Sequence, residues 1–328
     1  MTRKRELVYL AVVGVVFFLI LEIGFRIFGV PVFPCESCPL IGYRHTANRN
    51  YDVSRENDHP ITGRYNSFGW RDKEWSIEKP VNTVRVAVIG DSFVEALEVE
   101  SDKTFVSLAK IPNVEFMNFG YSGASQDKEL LILRHEVAKF SPDIVMCLFF
   151  PLNDIKDIGQ SCRPPKFWRT VYFFRRHSAV VNFVLAKLLP IIDHYNPPTF
   201  PPYLSLCTDN PNTDYVSKYA ECKESITAMA QWCKDRDIEF VLVAINTDAY
   251  LPEKELQYKV HDSSFDGNYF EDDLKIFADS IEIDYLGLQR LFQRAGERLH
   301  WSHWNYRGHE VVAEAVTGIV LQVLSRKT

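Results

Sequence analysis

The chain has 328 residues, of which 46% are hydrophobic and 13% aromatic, enough for one large domain core or two small ones. Its formal net charge of −6 is spread along the chain without a strong basic stripe. This charge pattern argues against nucleic acid as a partner and leaves small-molecule substrates open.

The N-terminus combines a basic cluster with a long apolar run. Residues 2–6 are Thr-Arg-Lys-Arg-Glu, residues 7–21 are apolar, and Glu22 precedes further apolar residues up to Phe25. Counted through Phe25, the run approaches the about 20 residues of a spanning helix. The basic residues place the N-terminus in the cytoplasm, and no small-x-small cleavage pattern follows. We predict a signal anchor over residues 1–26, with a cleaved signal peptide or a buried helix as alternatives.

The next segment, residues 27–80, is rich in Pro, Asn, Tyr and charge and shows no sustained period. It is predicted to be an extracytoplasmic tether and an irregular cap. In an oxidising compartment some of the chain's cysteines could pair. The candidates are Cys35, Cys38, Cys162, Cys207, Cys222 and Cys233, whereas Cys147 lies within an apolar run and is predicted to be an inert core thiol.

From residue 83 onward, short apolar runs alternate with helical patterns. The pattern predicts strands at residues 84–89, 114–118, 143–150, 239–245 and 281–283, and helices at 104–110, 126–140, 214–234, 271–280, 287–295 and 308–325. Alternation of this kind indicates an α/β fold with a parallel sheet covered on both faces.

An insertion interrupts the alternation at about residues 155–213. Residues 167–189 begin with aromatic and basic side chains, and a proline-rich stretch follows. A helix packed on the domain, a lid over a substrate and a membrane-surface contact all fit this composition.

Two distant segments together suggest a hydrolase. Residues 86–93, Val-Ala-Val-Ile-Gly-Asp-Ser-Phe, predict a buried strand that ends at Gly90 and places Ser92 where α/β sheets bind ligands. Residues 300–309, His-Trp-Ser-His-Trp-Asn-Tyr-Arg-Gly-His, precede the last predicted helix. A serine hydroxyl becomes a good nucleophile only when a base such as imidazole removes its proton.

The same segments carry a family resemblance, because four blocks occur in order from residue 83 to the C-terminus. Residues 90–93 (Gly-Asp-Ser-Phe), 118–123 (Asn-Phe-Gly-Tyr-Ser-Gly), 151–154 (Pro-Leu-Asn-Asp) and 303–309 (His-x-Asn-x-x-Gly-His) resemble those of the SGNH (GDSL) hydrolases. Residues 66–71, Asn-Ser-Phe-Gly-Trp-Arg, resemble a segment of membrane-anchored bacterial members. The resemblance implies a flavodoxin-like three-layer sandwich, which we assign to residues 81–328.

The resemblance also implies roles for individual residues. Ser92 would be the nucleophile and His303 the base, whose position favours it over His300 and His309. The Ser92 and Gly123 backbone N–H groups and the Asn153 amide would form the oxyanion hole. No metal or cofactor is implied, and Asp91 and Asp154 are expected to brace the loops.

The pattern departs from the family at the acid. Family members carry an Asp two or three residues before the catalytic His, where this chain has Trp301 and His300. A backbone carbonyl could orient His303, a carboxylate such as Glu297 or Asp248 could substitute, or catalysis could have been lost. The third block also has Leu152 or Pro151 in place of its usual Gly.

These features predict a serine esterase held in the inner membrane by a single span, with its catalytic domain in the periplasm. Its expected substrate is an O-acyl ester, with O-acetyl favoured, on a cell-envelope glycan or lipid. An acyltransferase with the same site is one alternative. A non-catalytic SGNH-fold binding or assembly protein of the envelope is the other.

Overall fold

The computed structural model describes residues 3–30, 32, 35–38, 41–53, 60–160, 166–193 and 200–326. It begins with helix α1 (Arg3–Ile27). Within it, Arg5–Ile27 has a mean hydropathy of 2.6 and is long and apolar enough to cross a membrane. The most apolar window of this segment is not buried by the rest of the chain.

Two small antiparallel hairpins follow α1. Strands β1 (Cys35–Cys38) and β2 (Gly42–His45) form the first, and β3 (Asn50–Val53) and β4 (Ile61–Arg64) form the second. The prediction of an irregular cap is therefore wrong for these residues. Strands of four residues with few apolar side chains give too little alternation to be recognised from sequence.

The centre of the chain is a five-stranded sheet. Its strands are β5 (Val84–Gly90), β6 (Val114–Gly120), β7 (Ile144–Phe149), β8 (Glu239–Ala244) and β9 (Asp284–Gly287). They pair in parallel in the order β6-β5-β7-β8-β9. This order, with β5 next to both β6 and β7, is the flavodoxin-like arrangement and confirms the predicted fold class.

Helices connect these strands and cover the sheet. They are α2 (Ser92–Glu95), α3 (Phe105–Leu108), α4 (Gln126–His135), α5 (Pro151–Asp157), α6 (Lys166–His177), α7 (Ala179–Asp193), α8 (Thr213–Lys234), α9 (Pro252–His261), α10 (Tyr269–Ser280), α11 (Gln289–Ala295) and α12 (Tyr306–Ser325). The predicted helix at 126–140 ends at His135 and continues as a 3₁₀ turn, Val137–Phe140. The last predicted strand lies three residues later than expected, and sequence analysis missed α5 and α9.

Alternate residues of the central strands face two separate cores. On one face, Ala87 and Ile89 of β5 pack in a cluster with residues of α4, α8 and α10. On the other face, Val86 and Val88 pack with residues of α3, α11 and α12. A strand buried on both faces reads as a continuous apolar run, and this is why β5 and β7 could be predicted.

A buried arginine joins the segment ahead of the sheet to the residues that follow Ser92. Arg71 is 1% exposed, and its guanidinium donates to the carbonyls of Glu95 (3.0 Å), Ala96 (2.7 Å) and Val99 (2.5 Å). These carbonyls lie at and beyond the end of α2, where a helix leaves acceptors unpaired. Arg71 therefore acts as a C-terminal cap for the helix that begins with Ser92.

A buried ion pair also links the hairpins to α2. His45 Nε2 lies 2.9 Å from Glu95 Oε1. Burial alone would lower the pKa of His45, but the Glu95 charge raises it to about 10. Burial alone would raise the pKa of Glu95, but the His45 charge and the Ser122 hydrogen bonds lower it to about 2. Both groups are therefore charged at neutral pH.

The pH dependence of stability tests this pair. His45 stabilises the fold fully below its ordinary pKa of 6.5 and loses this effect as pH rises towards about 10. Glu95 contributes fully above 4.5 and loses its effect as pH falls towards about 2. We expect Glu95→Gln to lower the Tm, with a gap to wild type that narrows as pH rises above 6.5.

Differential scanning fluorimetry across this pH range measures the gap. The control is Glu310→Gln, since Glu310 is an exposed carboxylate on α12 and its removal changes stability little. A gap for Glu95→Gln that stays constant from pH 6.5 upward would show that the two residues are not a charged pair.

The cysteines in the described part of the chain are free thiols. Cys147 is fully buried in β7, and burial raises the pKa of its thiol well above the ordinary value. This agrees with the prediction of an unreactive core thiol. Cys162 lies outside the described residues.

Candidate active site

Ser92 occupies the position predicted for it, directly after the central strand β5. It is the first residue of α2, and the Asp91 carboxylate accepts a hydrogen bond from Phe93 N at 2.9 Å as the helix cap. The first N–H groups of a helix have no partner within the helix. Ser92 thus presents its hydroxyl and its backbone N–H group at the carboxyl edge of the sheet.

The second block makes room for α2. A Cβ on Gly120 would lie 2.1 Å from Glu95 N, so only glycine lets β6 approach the helix this closely. Asn118 Nδ2 donates to the Val94 carbonyl at 2.8 Å, and its Oδ1 accepts from Gly120 N at 2.9 Å. Gly120 and Asn118 therefore position the helix that carries Ser92, a role that sequence analysis missed.

His303 lies in a tight loop ahead of α12. His300 and Trp304 form an antiparallel bridge, and Trp301 N donates to the His303 carbonyl at 2.8 Å. Asn305 caps α12 by accepting from Gly308 N at 2.9 Å. These local bonds fix the backbone on both sides of His303.

The structure brings the two predicted catalytic side chains together. Ser92 Oγ lies 2.9 Å from His303 Nε2, across 211 residues of sequence. The Phe93 ring packs against the imidazole with centroids 4.8 Å apart. This distance is within the range in which an imidazole accepts the proton of a serine hydroxyl.

The two competing histidines have other partners. Nε2 of His300, which is 7% exposed, lies 3.3 Å from Asn246 Nδ2. His309 is fully buried; its Nδ1 accepts from Phe105 N at 3.2 Å, and its Nε2 lies 3.1 Å from Glu98. Their surroundings fit a packing role.

Gly123 lies in the turn after β6, and Asn153 lies in the first turn of α5. Gly123 has a φ of +77° in a turn closed by Ala124 N, and a Cβ there would meet no atom within 4 Å. Asn153 Nδ2 donates to the Ala124 carbonyl at 3.3 Å, and its amide lowers the pKa of the Asp91 carboxylate. Asn153 is thus tied to the residue after Gly123 and lies near the residue before Ser92.

The suggested substitute acids are held elsewhere. Glu297 is exposed and pairs with Arg307 at 3.2 Å. Asp248 accepts from Tyr258 Oη at 2.9 Å. The Nδ1 atom of His303 lies 3.4 Å from the hydroxyl of the preceding residue, Ser302.

Asp91 is a carboxylate that responds to the charge of His303. Burial raises the pKa of Asp91 to about 6, although the Phe93 N–H, the Asn153 amide and the charge on His303 each lower it. Because such coupling is mutual, an ionised Asp91 stabilises a positive charge on His303 in return. The sequence indicated Asp91 only as a brace for its loop, which it also is.

Two further buried acids lie beneath this edge of the sheet. Asp154 accepts from Phe150 N at 2.6 Å and from Gln126 Nε2 at 2.9 Å, as expected of a loop brace. Glu129 accepts from the Cys147 thiol at 3.4 Å. Burial, added to repulsion by the Asp91 charge, raises the pKa of both Glu129 and Asp154 well above the usual range, and the Glu129 charge raises the pKa of Asp154 further. Both acids therefore hold their protons to a higher pH than exposed carboxyl groups do.

The raised pKa of Glu129 predicts a particular pH dependence of stability. Because the pKa of Glu129 is raised in the fold, its contribution to stability is complete below 4.5 and declines as pH rises. Glu129→Gln is neutral at every pH and keeps an acceptor for Cys147. We expect the Tm of this variant to rise relative to that of wild type as the pH rises above 4.5, measured by differential scanning fluorimetry. Parallel Tm curves would show that Glu129 is ionised in the fold.

No group of three or more His, Cys, Asp or Glu side chains among the described residues is arranged to hold a metal ion. The site consists of protein groups that suit nucleophilic chemistry.

Comparison with known proteins gives structural neighbours only. No protein-family model and no curated protein matches the chain. It is similar to a G-D-S-L family lipolytic protein of Desulfitobacterium hafniense, with 13% identity and a TM-score of 0.43 over 72% of this chain and 99% of that one. It is also similar to LAE5, an alpha/beta hydrolase from the Lake Arreo metagenome, with 16% identity and a TM-score of 0.42 over 72% and 95%.

A third neighbour is a catalytic mutant of an acetylxylan esterase from Geobacillus stearothermophilus. It shares 14% identity with this chain and has a TM-score of 0.40 over 73% of this chain and 94% of that one. Because all of these similarities are low, what the chain does is inferred below from its own site.

Proposed function

We propose that this chain is a serine ester hydrolase of the SGNH type. The observation that carries the proposal is the 2.9 Å contact between Ser92 Oγ and His303 Nε2 at the carboxyl edge of the sheet. A hydroxyl and an imidazole at this distance form a nucleophile and its base. The four blocks found in the sequence supply the remaining parts of such a site.

The proposed reaction proceeds by acyl transfer to Ser92. His303 takes the hydroxyl proton as Oγ attacks the ester carbonyl, and then gives that proton to the leaving alcohol. Water, deprotonated by His303, hydrolyses the acyl-enzyme and restores Ser92. The oxyanion would receive hydrogen bonds from the Ser92 and Gly123 N–H groups and from the Asn153 amide, once that amide turns from Ala124.

Asp91 is the proposed source of the negative charge that the family's acid would supply. It is buried next to Ser92 and interacts with the charge on His303. Acting through space, it would stabilise the imidazolium without holding the ring in one tautomer. The reaction at this site would therefore be slower than at a site with a complete triad, since orientation of the imidazole contributes to catalysis.

The proposed substrate is an O-acyl ester, in particular an O-acetyl ester, on a glycan or lipid of the cell envelope. Support comes from α1, which begins with basic residues and continues as a run apolar enough to span a membrane. Residues 1–26 would be the anchor, residues 27–80 the cap and residues 81–328 the periplasmic hydrolase domain. An acyltransferase would use the same site with water excluded. A binding protein is the second candidate, favoured by His300 and Trp301 where the family carries its acid.

Substitution of the two central residues tests the enzyme. Ser92→Ala should abolish hydrolysis of p-nitrophenyl acetate and labelling by a fluorophosphonate probe, because it removes the nucleophile. His303→Ala should cost nearly as much, since the two residues act as a unit. The matched controls are Ser280→Ala and His261→Ala, both exposed and remote in the sequence from the four blocks.

Wild-type protein that neither labels nor hydrolyses the ester, while Ser92→Ala folds normally, would favour the binding protein. Activity that survives in Ser92→Ala would show that the nucleophile lies elsewhere.

Membrane topology tests the anchor. A reporter that is active only in the periplasm, fused to the C-terminus, should be active because the basic residues hold the N-terminus in the cytoplasm. The protein should also stay in the membrane fraction after a salt wash. The control is the same fusion with residues 1–26 deleted, which should lose reporter activity. An active reporter in that control would contradict the assigned anchor.

A further inference from the structure

Helix α6 exposes its phenylalanine side chains. Phe167, Phe173 and Phe174 are 69%, 58% and 52% exposed. A helix packed on a soluble domain normally turns its apolar stripe inward and its charged residues outward. α6 departs from this arrangement, because these three phenylalanines point outward and give it an exposed apolar face.

The opposite face of α6 is held by polar and aromatic contacts. Tyr172 packs edge-on against Tyr43 of β2, with ring centroids 4.8 Å apart. Arg176 lies 3.7 Å from Glu36 of β1, and Arg175 donates a hydrogen bond to α7 at 3.0 Å. These contacts prevent the phenylalanine face from turning inward.

The corner between α6 and α7, residues 177–179, is hydrogen-bonded to the C-terminal end of α1. Arg26 donates to the last carbonyl of α6 at 2.7 Å. Glu22 of α1 accepts three hydrogen bonds from the start of α7, namely from Ser178 Oγ (2.8 Å), Ala179 N (3.0 Å) and Val180 N (3.2 Å). The corner therefore sits at the level where the apolar run of α1 ends, which is the boundary between membrane and water for the anchor proposed above.

A basic cleft lies at the same end of α1. It has a volume of about 580 Å³, and Arg26, Arg49 and Arg64 are among its lining residues. Guanidinium groups suit the phosphates of lipid headgroups, and the positive charge here contrasts with the chain's overall −6.

We propose that α6 is a membrane-interface helix whose phenylalanine face lies in the bilayer that α1 spans. The occupant of this face is lipid, because the face continues from the end of the apolar helix α1 and adjoins the basic cleft. The inference depends on the anchor role proposed for α1 and is independent of the chemistry at Ser92.

A tryptophan reporter tests the proposal in the full chain. The variant Trp168→Phe/Phe174→Trp and the single variant Trp168→Phe are reconstituted in vesicles of phosphatidylcholine and phosphatidylglycerol, with and without brominated acyl chains. The emission of the new tryptophan is obtained by subtracting the spectrum of the Trp168→Phe variant. This emission should be blue-shifted in vesicles, and the brominated lipid should roughly halve its intensity. The matched control is Trp168→Phe/Ile276→Trp, since Ile276 is an exposed apolar residue (71%) on α10, and its tryptophan should be unquenched.

Carbonate extraction separates failure of the anchor from failure of the inference. If carbonate releases the protein, α1 is not a span and the proposed anchor fails together with this inference. If the protein is retained but the Phe174→Trp emission is red-shifted and unquenched, the face points to water. Blue-shifted emission without quenching would show that another protein or a second copy covers it. Both of these results overturn the interface helix and leave the anchor and the hydrolase site intact.

Discussion

The site depends on the buried carboxylate of Glu95 and on its contacts with His45 and Ser122. This carboxylate is fully buried at the end of α2, 2.9 Å from His45 of the cap, and it accepts hydrogen bonds from Ser122 N at 2.8 Å and Ser122 Oγ at 2.5 Å. Loss of one partner from a buried ion pair leaves an uncompensated charge, which is strongly destabilising. The cap, the nucleophile helix and the turn that contains Gly123 are therefore held as one unit.

The central sheet was predictable because its signals are local. The strands β5 and β7 are continuous apolar runs, and each of the four sequence blocks lies at a strand end or helix start that neighbouring residues define. Such signals locate Ser92 and His303, and a parallel sheet brings their loops to one edge. The edge strand β9 (Asp284–Gly287) was misplaced because its half-buried residues alternate weakly, and pairing with β8 decides its register.

The polar interior could not be predicted, because its partners are distant in the sequence. Arg71 reads as a surface charge, yet it caps a helix that begins at Ser92. Glu129 and Asp154 are both buried although they lie on different helices, and only the fold shows that the Glu129 charge raises the pKa of Asp154. Asp91 likewise acquires its link to His303 from tertiary structure. Composition and periodicity contain no information on such pairs.

Contacts in the described residues run from helix α1 to the turn that contains Ser122. Helix α1 holds the corner of α6 and α7 through Glu22, and α6 packs on β2 through Tyr43. The His45 ring, also in β2, lies 5.1 Å from the Tyr121 ring, next to Ser122. The hairpin that contains β2 is therefore packed between α6 and the turn that contains Ser122. If α1 spans the bilayer, the orientation of the Ser92 site towards the membrane surface is therefore set by side-chain packing.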